Sequence, residues 1–177
     1  MTRIESTLAL LQSWDERACG SLNRMIHVSS LHFLFRSVSW LGNGIFWYAL
    51  MLGLLIADAE GAWGAVLHMA LTGLACTLIY RVLKGRTLRP RPYQVHLHIA
   101  AGAQPLDQFS FPSGHTLHAV AFSLIACVYY PLLAWIAVPF TLLVAMSRMV
   151  LGLHYPSDVL AGGALGALVA QASLSLS

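Results

Sequence analysis

Long apolar runs recur along this chain and alternate with short polar stretches. Hydrophobic residues make up 58% of its 177 residues, and charged residues make up only 10%. Ordinary soluble domains contain about 25% charged residues, and a helix needs about 20 predominantly apolar residues to cross a bilayer. The sequence therefore predicts one integral, all-α membrane domain. Because the apolar runs recur, it excludes both a soluble enzyme and a secreted protein with a single anchor.

The positions of these runs predict five membrane-spanning helices. They lie at about 44–57, 62–83, 112–130, 132–149 and 158–175. The last span contains Gly162, Gly163, Gly166 and Ala167, which are small enough to let neighbouring helices approach closely. We therefore expect a polytopic helical bundle.

The first 41 residues have a different character. Apolar residues recur at three- and four-residue spacing over 3–26, which predicts an amphipathic helix on the membrane surface. Residues 28–41 are also amphipathic, and the pattern leaves open whether they form a sixth crossing. We expect five to six transmembrane helices, with 1–41 as an interfacial segment and 42–177 as the main domain.

Polar residues of particular types cluster at the ends of the predicted spans. Tracing the spans back and forth across the membrane brings eight of them to one side: Lys84, Arg91, Ser113, Gly114, His115, Arg148, His154 and Asp158. Cationic side chains hold phosphate oxygens, and a helix start directs backbone N–H groups at an anion. Two imidazoles and a carboxylate add proton transfer. The sequence predicts an active site for a phosphate ester.

Three ordered motifs carry a resemblance to a known family. They are Lys84-x6-Arg91-Pro92, then Pro112-Ser113-Gly114-His115, and last Ser147-Arg148-x5-His154-x3-Asp158. On these motifs the chain resembles the type 2 phosphatidic acid phosphatases, a family of membrane lipid phosphatases related in motif to vanadium haloperoxidases. The resemblance covers about 80–175.

The resemblance implies a role for each matching residue. His154 would attack phosphorus and form a phosphohistidine, Asp158 would hold its other ring nitrogen, and His115 would protonate the leaving group. The phosphate oxygens would be bound by Lys84, Arg91, Ser113, Gly114 and Arg148. It implies no metal and no cofactor.

Some basic residues and histidines match no motif position. Arg86 and Arg89 are interpreted as membrane anchors or contacts to a substrate headgroup. A metal site built from His96, His98 and His118 together with His115 is an alternative, but no carboxylate or cysteine lies at suitable spacing. The sequence favours a metal-independent enzyme.

Among partners we expect membrane lipids and a lipid phosphate or diphosphate, and no nucleic acid. Family habit ranks undecaprenyl diphosphate first, then phosphatidylglycerophosphate, phosphatidic acid and lipid A phosphate. Two alternatives remain open: a lipid phosphotransferase that uses the same site, and a non-catalytic lipid-binding or transport protein.

Two arguments about orientation disagree. With five spans, all ten Lys and Arg fall on the side of the site, which by the positive-inside rule is the cytoplasm. A sixth crossing within 28–41 would move Arg3, Arg17 and Arg24 to the other side, and bacterial members of the family mostly work on the outer face of the cytoplasmic membrane. We expect an outward-facing site in that membrane, with both ends of the chain in the cytoplasm.

Overall fold

A computed structural model describes residues 3–176, and every regular element in that range is helical. The helices are α1 (Arg3–Asn23), α2 (Ser29–Trp40), α3 (Phe46–Ala57), α4 (Ala62–Thr87), α5 (Pro92–Val95), α6 (Gly114–Tyr129), α7 (Ala134–Val150) and α8 (Pro156–Leu174). Short 3₁₀ turns at Arg24–His27 and Pro131–Leu133 follow α1 and precede α7. The predicted all-α membrane bundle is confirmed.

Helices α2 and α3 form one kinked run. A π-helical turn at Leu41–Ile45 joins them, and Gly44 takes a φ of 119° there, which a residue with a side chain rarely adopts. Residues 29–57 are therefore one span and not two. Within residues 3–176 the structure has five apolar helical stretches, the lower of the two expected numbers. The division between 1–41 and 42–177 stays a prediction.

In the part of the chain that the structure describes, four helical stretches are long and apolar enough to cross a membrane: Ser29–Ala57, Ala62–Val95, Pro131–Val150 and Pro156–Leu174. Helix α6 is a shorter apolar helix that packs among them. Large apolar side chains on the outer faces, such as Leu67, Leu71 and Leu78 of α4, are more than half exposed. Such a surface is stable only against lipid, so the chain is a multi-pass membrane protein.

The centre of the bundle is the contact between α6 and α8. A Cβ added at Gly162 or Gly166 would overlap the backbone carbonyl oxygens of Ser113 and Leu117, respectively. The two backbones can approach this closely only because α8 has no side chain at either position. The predicted role of the small residues in the last span is confirmed at these two glycines.

Helix α1 lies at the end of the bundle where α4 and α7 end and α6 and α8 begin. Its Asp15 accepts a hydrogen bond from the backbone N–H of Ser157, and its Asn23 donates to the carbonyl of Val150. The last turn of α8 lies at the opposite end, where Ser173 contacts His68. The expectation that both ends of the chain share one side of the membrane is therefore wrong for the described residues.

Candidate active site

The eight predicted residues meet at one end of the bundle. Six of them line a cavity of ≈ 730 Å³: Lys84, Arg91, Gly114, His115, Arg148 and His154. Ser113 and Asp158 are fully buried behind its wall. The backbone N–H of Ser113 donates to the carbonyl of Asp158 at 3.0 Å, and its hydroxyl contacts Thr116 at 2.9 Å. Of the helix start 113–115, therefore, only Gly114 and His115 face the cavity.

His154 lies in the short connection between α7 and α8 and is 1% exposed. Nη1 of Arg91 donates toward its Nε2 at 3.2 Å, so the ring proton of the neutral imidazole lies on Nδ1. Burial, followed by the positive charges of Arg148, Arg91 and Lys84, lowers the pKa of His154 well below its ordinary value. His154 is thus a neutral imidazole whose Nε2 lone pair faces the cavity.

The carboxylate of Asp158 lies on the other side of this imidazole. Its Oδ2 is 3.7 Å from Nδ1 of His154, which is longer than a hydrogen bond, and Nδ1 has no hydrogen-bond partner among the described residues. The same oxygen accepts the backbone N–H of Tyr155 at 2.8 Å. The predicted His154–Asp158 pair is present as neighbours, without a direct hydrogen bond in this structure.

Three buried cations surround the Nε2 side of His154. Lys84 and Arg91 both bind one carboxylate, that of Asp107, at 2.7 Å. Arg148 is 2% exposed, contacts the hydroxyl of Ser39 through Nη1, and leaves Nε without a partner among the described residues. Three cations and one carboxylate leave an excess of two positive charges, and a buried unpaired cation is unfavourable unless an anion joins it.

Asp107 is the site residue that the motifs did not predict. Burial alone would raise its pKa, but hydrogen bonds and charges from Lys84 and Arg91 hold the pKa of this carboxyl below its ordinary value. It lies in the long loop between α5 and α6 and is ionised at neutral pH. One signal was available, because Asp107 is the only acidic residue between Glu60 and Asp158.

His115 heads α6 and also lines the cavity. Its Nε2 donates to the side-chain oxygen of Asn43 in the π-helical turn between α2 and α3. A Cβ on the adjacent Gly42 would lie 3.8 Å from the imidazole. The Gly-Asn-Gly sequence at 42–44 therefore bends the helix and also supplies a partner for His115.

The interpretation of Arg89 as a membrane anchor or headgroup contact is wrong. Its guanidinium donates to Oδ1 of Asp158 at 2.6 Å and to Oδ2 of Asp15 at 2.8 Å. It also stacks on the ring of Tyr155, with 4.2 Å between the guanidinium carbon and the ring centroid. Both carboxylates are completely buried, so Arg89 forms ion pairs inside the protein.

The histidines of the metal alternative do not gather. Nδ1 of His118 donates to the carbonyl of Gly114 at 2.8 Å, and its Nε2 lies 3.0 Å from the hydroxyl of Thr77 in α4. His96 directly follows α5 and contacts Tyr155 and Glu16, and His98 lies beside it. Within residues 3–176, no three His, Cys, Asp or Glu side chains are arranged to hold a metal ion.

A known protein family matches a larger part of the chain than the three motifs cover. The family model described as PAP2 superfamily matches residues 61–177, which is more than half of the chain. The chain belongs to the PAP2 superfamily. The recognition from the three motifs is confirmed, and helix α1 together with the α2–α3 run lies outside the matched residues.

Several curated members of the PAP2 superfamily are similar to this chain. Phosphatidylglycerophosphatase B of Bacillus subtilis is 30% identical over 162 residues, which are 81% of this chain and 67% of that protein. Undecaprenyl-diphosphatase BcrC of the same species is 36% identical over 95 residues, and lipid A 1-phosphatase of Rhizobium johnstonii is 33% identical over 94. These two matches span 54% and 51% of this chain, and only 49% and 38% of the two relatives.

Two crystal structures share the fold. The PAP2-type phosphatidylglycerolphosphate phosphatase from Bacillus subtilis superposes with a TM-score of 0.76 at 27% identity, over 94% of this chain and 86% of that one. LpxE of Aquifex aeolicus superposes with a TM-score of 0.67 at 22% identity, over 87% of this chain and 92% of that one, which is a likeness of fold alone.

Proposed function

We propose that this PAP2 superfamily member is a membrane phosphatase that hydrolyses a phosphate ester on a lipid. One observation carries the proposal: three buried cations, with a single carboxylate between them, line the same cavity as the Nε2 atom of a neutral imidazole. The excess of two positive charges matches a phosphate monoester dianion. The relatives support the same class, since their names describe phosphatases of undecaprenyl diphosphate, phosphatidylglycerophosphate and lipid A.

The shape of the cavity supports a lipid substrate. From the cations it continues between α3 and α4, along apolar side chains that include Trp47, Met51 and Leu74. A phosphate held by Lys84 and Arg91 would leave its alkyl or prenyl chain in this apolar part. A soluble phosphate ester would gain nothing from those contacts.

The proposed reaction has two displacement steps at phosphorus. Nε2 of His154 attacks, the bond from phosphorus to the leaving oxygen breaks, and His115, which enters this step as an imidazolium, donates a proton to that oxygen and becomes neutral. Asp158 stabilises the positive charge that develops on the imidazole through Nδ1. Water then attacks the phosphohistidine, His115 takes the proton of the water, and His154 departs as neutral imidazole. Inorganic phosphate and the lipid alcohol, or a lipid monophosphate from a diphosphate, are released.

We assign phosphate binding to Lys84, Arg91 and Arg148 and to the backbone at Gly114. Lys84 and Arg91 would exchange the carboxylate of Asp107 for phosphate oxygens, and Arg148 would direct its unpartnered Nε to the same group. Ser113 would support the site without contacting the phosphate, because its backbone N–H fixes the start of α6 against the carbonyl of Asp158.

Among lipids we propose a diphosphate, with undecaprenyl diphosphate as first choice. Arg81 supports this order, because it lies one helical turn before Lys84 on the same cavity wall. Arg81 is exposed and has no ion-pair partner among the described side chains. A second cation on the side of the lipid chain suits the inner phosphate of a diphosphate. Phosphatidylglycerophosphate, phosphatidic acid and lipid A phosphate follow as candidates.

We further propose that the protein lies in the cytoplasmic membrane with its active site on the outer face. Bacterial members of the resembling family mostly work there. The site and its buried carboxylates explain four cations at this end, Lys84, Arg89, Arg91 and Arg148, which should not count in the positive-inside comparison. The five-span structure leaves the other six arginines on this side as well, so the outward orientation rests on the habit of the family and not on charge.

Phosphate release from purified protein in detergent tests the function. We expect turnover of at least one of the four candidate lipids, unchanged activity in EDTA, and complete loss in His154→Ala, with an acid-labile phosphoryl group trapped on the wild-type protein. Absence of phosphate release from all four lipids would contradict the phosphatase proposal. A need for added divalent metal would contradict the metal-independent mechanism.

A further inference from the structure

Helix α1 reaches the site through one buried carboxylate. Asp15 is 0% exposed, and its Oδ2 accepts from Nη2 of Arg89 at 2.8 Å. Its Oδ1 accepts the backbone N–H of Ser157 at 2.9 Å, and the hydroxyl of Ser157 donates to Oδ2. Ser157 is in the first turn of α8, directly before Asp158. Asp15 therefore binds both the helix that bears Asp158 and the cation that pairs with Asp158.

The guanidinium of Arg89 is shared between two carboxylates. Nη1 donates to Oδ1 of Asp158 at 2.6 Å and to the hydroxyl of Ser157 at 2.8 Å, while Nη2 donates to Asp15. With Oδ1 bound to Arg89 and Oδ2 bound to the N–H of Tyr155, the carboxylate of Asp158 is fixed in rotation. Oδ2 is thereby directed to Nδ1 of His154, 3.7 Å away.

From these contacts we propose that Asp15 and Arg89 are positioning residues, which set the orientation and the negative charge that Asp158 presents to His154. The inference rests on the proposed function, because it concerns how the nucleophile is supported. Asp15 neutralises part of the charge of Arg89. As a result Asp158 is held by Arg89 without losing its ability to attract the Nδ1 proton of His154. The helix that carries Asp15 lies outside the residues matched by the family model, so this support comes from an element that the three motifs do not include.

Removing the charge of Asp15 and removing the charge of Arg89 change the electrostatic potential at His154 in opposite directions. In Asp15→Asn, Arg89 keeps its full charge for Asp158, so the attraction of Asp158 for the Nδ1 proton weakens. In Arg89→Gln, the negative charge of Asp158 is no longer compensated, and the attraction strengthens. The other charged or titratable groups that face His154 come from several elements and are unchanged in both variants: Lys84, Arg91, Asp107, His115 and Arg148.

The test is the pH dependence of kcat/KM with kcat and KM measured separately. We expect kcat to fall about 10- to 100-fold in both variants with KM little changed, since a misplaced supporting group impairs the chemical step more than binding. The acid limb of the kcat/KM profile is the low-pH side on which activity falls as His154 is protonated. We expect this limb to move to lower pH in Asp15→Asn and to higher pH in Arg89→Gln, by about half a pH unit or more. Arg89→Lys keeps the charge but not the two-sided geometry, so its acid limb should stay near that of wild type while kcat falls.

Two surface changes on α1 serve as controls. Arg17→Gln removes a cation two residues from Asp15 that contacts only Ser13, and Glu16→Gln removes the neighbouring carboxylate that contacts His96. Neither should move the acid limb. Thermal unfolding in detergent verifies that each variant is folded, and Asp15→Asn, which keeps the side-chain shape, carries the test if Arg89→Gln does not fold.

The outcomes separate this inference from the proposed function. Any of three results would overturn the positioning role. The acid limb could stay unmoved in Asp15→Asn and Arg89→Gln, it could shift in the same direction in both, or the losses could be confined to KM. In each of those cases the proposed function would still stand, provided that the wild-type protein turns over the substrate and His154→Ala does not. Activity that survives in His154→Ala would instead remove the proposed mechanism itself.

Discussion

Arg91 lies between His154 and Asp107: Nη1 is 3.2 Å from Nε2 of His154, and Nη2 is 2.7 Å from Oδ1 of Asp107. In the proposed mechanism, a phosphate attacked by His154 would place its oxygens on this guanidinium. The carboxylate of Asp107 therefore occupies a donor that the substrate needs. Binding of phosphate and release of Asp107 are two sides of one exchange.

That exchange predicts the behaviour of Asp107→Asn. The variant should bind inorganic phosphate about tenfold more tightly, because Lys84 and Arg91 no longer have a charged internal partner. Product inhibition of phosphate release measures the change, and Asp107→Glu, which keeps the charge, is the control. Weaker inhibition in Asp107→Asn would show that the carboxylate holds the two cations in place for substrate.

The acid limb of kcat/KM for the wild-type protein should lie clearly below pH 6.5, the ordinary pKa of an imidazole. The reason is that His154 must be neutral to act as the proposed nucleophile, and burial together with three cations lowers the pKa of His154 well below that value. Asp107 opposes this lowering, so Asp107→Asn should move the limb to still lower pH. An acid limb at or above pH 6.5 would mean that His154 is not the group that titrates.

His115→Ala should reveal its role through the leaving group. A general acid matters in proportion to how poor the leaving group is. We expect a loss of about 100-fold or more on an alkyl phosphate and a much smaller loss on an aryl phosphate with an acidic phenol. Asn43→Ala, which removes the hydrogen-bond partner of His115, should follow the same pattern with smaller losses. If both substrates suffered equally, His115 would be a phosphate-binding or structural residue.

Arg81→Gln tests the preference for a diphosphate. Its removal should lower kcat/KM for a prenyl diphosphate about tenfold, the effect of losing one charge-assisted hydrogen bond, and should leave a prenyl monophosphate nearly unaffected. Arg86→Gln is the matched control, since Arg86 is an exposed cation of the same helix that does not line the cavity. Equal effects of Arg81→Gln on both substrates would remove Arg81 from the choice between them.

Orientation is measured with single cysteines in intact cells. Gln104 is exposed in the loop at the site end, and Glu60 is exposed in the turn between α3 and α4 at the opposite end. A membrane-impermeant thiol reagent should label Gln104→Cys and spare Glu60→Cys until the cells are lysed. The native cysteines give little background because Cys19 and Cys76 are buried and Cys127 is half-buried. The reverse pattern would put the site in the cytoplasm.

The sequence was sufficient for the bundle and for the group of residues at its end, because both depend on patterns that are local in sequence. Apolar runs of bilayer length predict spans, and alternating spans bring Lys84, His115 and His154 to one side. Partners that depend on tertiary contacts were missed. Asp15, for example, is 142 residues from Ser157, and a single polar residue on an amphipathic helix carries no signal of such a contact.

The same distinction explains why the sequence left the path of residues 28–41 open. Hydropathy shows that this stretch is amphipathic but not whether it turns back. The direction depends on the backbone at Gly44, where a φ of 119° bends the run without ending it. Phe35 and Val38 are then buried within the bundle, and Ser39 contacts Arg148.

The contact between α6 and α8 decides which parts of the molecule can move during a catalytic cycle. Where Gly162 and Gly166 meet carbonyl oxygens, the two helices have no flexible side chains between them that could adjust to sliding. His115 and Asp158, which lie at the starts of these helices, therefore belong to one rigid body. Entry of the proposed lipid substrate would then be accommodated by the opposite wall, where α3 and α4 border the apolar part of the cavity. In the proposed mechanism, the α6–α8 pair therefore holds the catalytic side chains in fixed positions, and movement at α3 and α4 admits the lipid chain.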